Sequence, residues 1–149
     1  MQNMSLLKVI LLMSTLLGLV IGLISPIPYI GGLAFLALLC FSAPIVLGVL
    51  LNIGVLKIDN ISESAVLGGI VGFVSYLAFS VVYMPIVMIL YKVFNHYVNY
   101  GVTLALTNAN LFVIVTVSIF MGILSASINA FSGFLTYYLA EVFKNMNNK

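Results

Sequence analysis

The sequence predicts an all-α integral membrane protein, with four transmembrane helices in an antiparallel bundle joined by short loops. The first observation is composition: of 149 residues, 64% are hydrophobic and 5% are charged, with five Lys and three acidic residues. Soluble domains carry roughly 25% charged residues. Too few charges are present to cover a water-soluble surface, so the composition excludes a soluble monomer.

The second observation is where the charges lie. Three long stretches contain no Lys, Asp or Glu, and they cover residues 9–56, 64–91 and 93–140. A transmembrane helix needs about 20 apolar residues to cross about 30 Å of hydrocarbon. These apolar runs lack the alternation typical of barrel strands, so helices are the expected form. We therefore expect a single membrane domain over residues 1–149.

The first stretch is long enough for two helices, which we place at about 6–25 and 32–56. The break between them is Ser25-Pro26-Ile27-Pro28, followed by Gly31-Gly32. Proline restricts its own φ and the conformation of the residue before it, so this segment ends a helix.

The other two stretches hold one helix each, at about 64–91 and 110–140. The third stretch begins with polar and aromatic residues, and its apolar piece at 101–106 is too short to cross a bilayer. Asn110 is suited to cap the last helix, because its side chain can accept a hydrogen bond from a backbone N–H of the first turn.

The lysines predict the orientation. With four spans, Lys8, Lys57, Lys144 and Lys149 share one side and Lys92 lies on the other. Cytoplasmic loops carry the excess of Lys and Arg. We therefore expect both termini in the cytoplasm, in a plasma or inner membrane.

The fourth span has a polar face. Small and polar residues recur at alternating spacings of four and three, which places them on one side of a helix: Ser118, Gly122, Ser125, Asn129, Ser132 and Thr136. Large apolar residues occupy the opposite side: Val113, Val117, Phe120, Leu124, Phe131 and Leu135. The favoured interpretation is a helix–helix seam, because small residues and hydrogen bonds hold helices together in a bilayer. The alternative is a polar path for a permeating ion or solute.

Glycine pairs on two other spans predict close packing. Gly18 and Gly22, and again Gly68 and Gly72, form G-x-x-x-G, which lets helix backbones approach closely. The segments 17–25 and 67–75 are identical at four positions. The first begins nine residues after Lys8 and the second four after Glu63, and this difference in depth argues against a true repeat.

Prolines lie inside two of the predicted spans. Pro44 falls near the middle of the second, and Pro85 falls toward the far end of the third. Each lacks the N–H of its backbone hydrogen bond, so we expect a kink at both.

Reactive groups are scarce. No Lys, Asp, Glu or His lies at mid-depth of any predicted span, and Cys40 and His96 are the only residues of their types, on different segments. Acid–base catalysis and metal binding need such groups in clusters, so we expect no enzyme activity, no metal and no cofactor. With five scattered Lys and no Arg, nucleic-acid binding is excluded.

The hypothesis from the sequence is a structural or accessory subunit that acts through helix–helix contacts. The alternative is a small channel or transporter subunit that uses the polar face with Asn129. The expected partners are the lipid bilayer, together with a second copy of the chain or a larger membrane protein.

Overall fold

A computed structural model describes residues 2–58 and 60–147, and within them every regular element is a helix. The five helices are α1 (Gln2–Ile24), α2 (Ile30–Asn52), α3 (Ile61–Phe94), α4 (Tyr100–Asn108) and α5 (Leu111–Asn147). Four of them contain segments long and apolar enough to cross a membrane: Leu6–Ile24, Ile30–Asn52, Ile61–Phe94 and Leu111–Val142. The chain is therefore a helical protein of the membrane class.

Helix α4 is the one helix that was not predicted. It lies in the connection between α3 and α5, where a short loop was expected. It has nine residues, about 14 Å, which agrees with the prediction that this segment does not cross the bilayer. Asn99 begins it, because its Oδ1 accepts a hydrogen bond from the Val102 N–H at 3.2 Å. Asn110 caps α5 as predicted, accepting from the Val113 N–H at 2.9 Å.

The second helix ends at Asn52, and the predicted end at 56 is wrong. Gly54 has a φ of +71°, a left-handed conformation that a side chain disfavours and glycine adopts freely. The N–H groups of Val55 and Leu56 then turn back to the Leu50 carbonyl oxygen, both at 3.1 Å. Hydropathy extended the predicted helix too far because the residues after Asn52 are themselves mostly apolar.

Helix α3 is central and contacts all four other helices. Gly18 lies against Ser75 and Gly22 lies against Phe79. The residue numbers increase in the same direction on both helices, so α1 runs parallel to α3. Gly68 lies against Gly133, whereas Gly72 lies against Ser125, so α5 runs antiparallel to α3. The buried apolar residues form two clusters, one around Leu47 and Val71 and the other around Leu38 and Phe79.

The ends of the helices differ in level. Gly22 of α1 faces Val82 of α3, and α1 ends two residues later at Ile24. From Val82, α3 continues to Phe94, about 18 Å farther along its axis. We call the place where α1 ends and α2 begins, beside the continuing α3, the step.

The lysines that predict orientation lie at the ends of the elements. Lys8 is near the start of α1, Lys57 lies between α2 and α3, and Lys92 is in the last turn of α3. Lys144 belongs to α5, and Lys149 lies outside the described residues. The orientation itself stays a prediction.

Candidate functional site

The predicted polar face of α5 is its contact surface with α2 and α3. Ser118, Gly122, Ser125 and Asn129 are buried, while Ser132 and Thr136 are half-buried. On the opposite side of the helix the large apolar residues are exposed: Val113, Val117, Phe120, Leu124, Phe131 and Leu135. We call the six small and polar residues the α5 seam.

Asn129 is the centre of the α5 seam and is 0% exposed. Its Oδ1 accepts a hydrogen bond from the Ala43 N–H at 2.8 Å, and its Nδ2 donates to the Leu39 carbonyl oxygen at 2.8 Å. In a regular α-helix the N–H of residue 43 donates a hydrogen bond to the carbonyl oxygen of residue 39, four residues earlier. The side-chain amide therefore bridges the backbone of α2 at one turn, using both of its polar ends.

Ser132 contacts the next carbonyl of the same turn. Its Oγ donates to the Cys40 carbonyl oxygen at 2.7 Å and lies 3.2 Å from the Ile128 carbonyl oxygen. Residue 44 should supply the N–H for the Cys40 carbonyl, but it is Pro44 and has none. Ser132 thus provides the donor that the proline removes, and α2 continues as a helix through this position.

Hydroxyl groups also join α5 to α3. Ser125 Oγ donates to the Gly72 carbonyl oxygen at 3.0 Å, and Ser64 Oγ donates to the Gly133 carbonyl oxygen at 2.7 Å. The two backbones are in close contact here: a Cβ added at Gly72 would lie 2.5 Å from the Asn129 Cβ. Only glycine fits at such a crossing.

The remaining predicted glycines also pack within the chain. Gly68 lies against the Asn129 backbone, and Gly18 and Gly22 lie against the Ser75 and Phe79 carbonyl oxygens. Because all four glycines are covered, a second copy of the chain would have to bind elsewhere. The similar segments 17–25 and 67–75 have different neighbours, since Gly18 packs on α3 and Gly68 on α5.

The outer members of the α5 seam bond locally. Thr136 Oγ1 donates to the Ser132 carbonyl oxygen at 2.8 Å, and Ser118 Oγ donates to the Ile114 carbonyl oxygen at 2.7 Å. Gly122 faces the ring of Phe73. The polar atoms of the seam are therefore occupied by backbone groups of the protein, an arrangement that favours helix packing over a polar path.

Pro85 is exposed on α3, and α3 remains helical on both sides of it. Like Pro44, it deprives a carbonyl four residues earlier of its donor. The bends expected at these two positions stay predictions.

A chamber of about 440 Å³ lies at the step. Its walls come from the α1–α2 turn, from α3, from the face of α4 that bears Val102 and Leu106, and from Val117 and Met121 of α5. We call it the step chamber.

One side of the step chamber is aromatic. The rings of Phe35, Tyr76, Phe79 and Tyr83 form a continuous cluster in which successive centroids lie 4.9–6.5 Å apart. Such spacing is typical of interacting aromatic pairs. Ser25 also lines the chamber, and its buried Oγ has no hydrogen-bond partner in the described protein.

Several of these groups were not predicted from the sequence. Gly133 and Ser64 are two of them, although Gly133 follows Asn129 by four residues and so lies on the same helix face. Cys40 was predicted to lie in the second span, but no role was predicted for its carbonyl oxygen. No sequence pattern marks the step chamber, because its walls come from segments far apart along the chain.

In the described residues no group of three or more His, Cys, Asp or Glu side chains is placed to hold a metal ion. Comparison of the chain with protein-family models, curated proteins and solved structures finds no match. The function of the chain is therefore inferred from its geometry alone.

Proposed function

We propose that the protein is a non-enzymatic integral membrane protein that serves as a structural or accessory subunit through contacts between helices. Four apolar helices support its place in a membrane. The observation that carries the rest is Asn129, which is fully buried and bonded at both ends to the backbone of α2. An amide used in this way stabilises the bundle and has no free atom with which to coordinate a permeating ion.

The outward face of α5 is the surface best suited to a partner helix. Of its most apolar window only 17% is buried within the chain, against 28–33% for the other three spans. Phe120 and Phe131 on this face are 60% and 64% exposed. Large aromatic side chains supply much of the contact area where proteins associate. We propose that this face binds the partner, with both termini in the cytoplasm.

Site-specific photo-crosslinking in the native membrane tests the partner contact. A photoreactive amino acid at Phe120 should give a discrete protein adduct, whereas the same probe at Val20, which is 51% exposed on α1, should give only lipid adducts. The mass of the adduct separates a second copy of this chain from a larger protein. Protein adducts at neither position, with a monodisperse monomer in mild detergent, would contradict the proposal.

Flux measurements test the alternative of a channel or transporter subunit. Vesicles that contain the pure protein should be no more permeable to K⁺, Na⁺ or Cl⁻ than protein-free vesicles. A flux that Asn129→Leu abolishes and Ser127→Leu leaves intact would overturn our proposal, because Ser127 is exposed and bonds only the Ile123 carbonyl oxygen of its own helix. A reporter fused after Lys149 tests orientation, and activity outside the cytoplasm would contradict it.

A further inference from the structure

We propose that the step chamber binds one acyl chain of a bilayer glycerolipid. This inference is independent of the proposed function, because it concerns the end of the molecule that bears α4 and not the α5 seam. It depends on the size of the chamber, on the chemistry of its walls and on what surrounds it.

The size suits a single hydrocarbon chain. Pockets for small ligands have volumes of about 300–1,000 Å³, and the chamber, at about 440 Å³, lies in the lower part of that range. A water molecule takes about 30 Å³ in the liquid. A methylene group is of similar size, so roughly 15 groups fit, which is the length of one common fatty-acyl chain.

The walls suit hydrocarbon. Phe79 and Met121 contribute apolar side chains to the wall of the chamber, and Val102 and Leu106 of α4 line the same space. Burial of apolar surface contributes free energy in proportion to area and needs no directional partner. A chain that lies along these side chains would therefore bind by contact area alone.

Exposed apolar side chains beside the step indicate that lipid lies at the entrance of the chamber. Beside the step, α3 and α5 expose large apolar side chains, among them Val81 at 70%, Leu111 at 76% and Phe112 at 77%. Such surface is stable only in contact with hydrocarbon or protein. The step is therefore surrounded by lipid chains, and a partly enclosed apolar space there will be filled from them.

The test uses the full chain in nanodiscs with phosphatidylcholine that carries a diazirine in one acyl chain. After photolysis, labelling is mapped to single residues by mass spectrometry. Phe35, a half-buried ring in the chamber wall, reports on the chamber, and Val20, 51% exposed on α1, reports on surrounding lipid. We expect Phe35 to be labelled at a level comparable to Val20.

Variants that fill the chamber should displace the chain. Val102→Trp should lower the ratio of Phe35 to Val20 labelling at least fivefold, whereas Leu104→Trp, on the exposed side of α4, should leave it unchanged. If Val102→Trp does not fold, Gly32→Leu replaces it, with Gly48→Leu as its control, because both glycines have open space around a new Cβ and only Gly32 lines the chamber.

Two results would overturn the proposal. One is Phe35 labelling below a tenth of that at Val20, which would mean that the chamber is closed to lipid. The other is a ratio that the filling variants and their controls change equally.

Discussion

Replacing Pro44 with alanine should remove most of the loss of stability that Ser132→Ala causes. In the native protein, Ser132→Ala leaves the Cys40 carbonyl without a donor, because Pro44 has no N–H and the serine hydroxyl at 2.7 Å is its replacement. With alanine at position 44, the backbone supplies that N–H and the carbonyl is bonded again. The loss caused by Ser132→Ala should therefore depend on the residue at 44.

The magnitude follows from the contact. An unsatisfied buried carbonyl costs about 1–3 kcal/mol. Double-mutant cycles in another membrane protein average about 0.6 kcal/mol for a hydrogen bond between helices, with a maximum near 1.7. We expect Ser132→Ala to lower the free energy of unfolding by about 1–2 kcal/mol in the native background and by at most about 0.5 kcal/mol in the Pro44→Ala background. The coupling between the two positions is then about 1 kcal/mol.

The assay is reversible unfolding in mixed micelles, measured for the native protein, both single variants and the double variant. Ser127→Ala is the matched control, because it removes a hydroxyl that bonds only within α5, to the Ile123 carbonyl oxygen at 3.0 Å. Its effect should stay within about 0.5 kcal/mol in both backgrounds. If Ser132→Ala costs the same with proline and with alanine at position 44, the hydroxyl does not compensate for the proline and the argument is wrong.

Three further predictions use the same unfolding measurement. Gly72→Ala should lower the free energy of unfolding by about 2 kcal/mol or more, because its new Cβ would meet the Asn129 Cβ at 2.5 Å, whereas Gly69→Ala, with its nearest atom at 3.6 Å, should be tolerated. Asn129→Leu should lower it by about 1–3 kcal/mol through loss of two hydrogen bonds to α2, and a change below about 0.5 kcal/mol would contradict the role given to the amide. Asn95→Ala should cost about 1 kcal/mol and Asn95→Gly almost nothing, because residue 95 has a φ of +51°; equal losses would contradict this explanation.

Much of the fold follows from the sequence, because apolar length and the spacing of charges are one-dimensional properties. The beginning of α5 was predicted from Asn110, whose cap depends on residues close in sequence. The end of α2 was not predicted, because it depends on the left-handed conformation of Gly54 and not on hydropathy. Helix α4 was missed as a helix because nine residues give too short an apolar pattern to detect.

The candidate site was predicted in part for the same reason. Periodicity placed Asn129 and Ser132 on one face of a helix, and the structure puts that face against other helices. Periodicity cannot say which backbone atoms lie opposite, so the bonds to Ala43 and Cys40 were beyond it. The step chamber depends on how far each helix extends past its neighbours, which one sequence does not encode as a local pattern.

The bond between Ser132 and the Cys40 carbonyl also has a consequence for biogenesis. Cys40 and its donor Ser132 are 92 residues apart, so α2 enters the membrane well before α5 has been synthesised. During that interval the Cys40 carbonyl, four residues before Pro44, lacks the hydroxyl that bonds it in the complete bundle. Insertion of α5 supplies this bond, so a chain truncated before α5 would keep an unbonded carbonyl inside its second span.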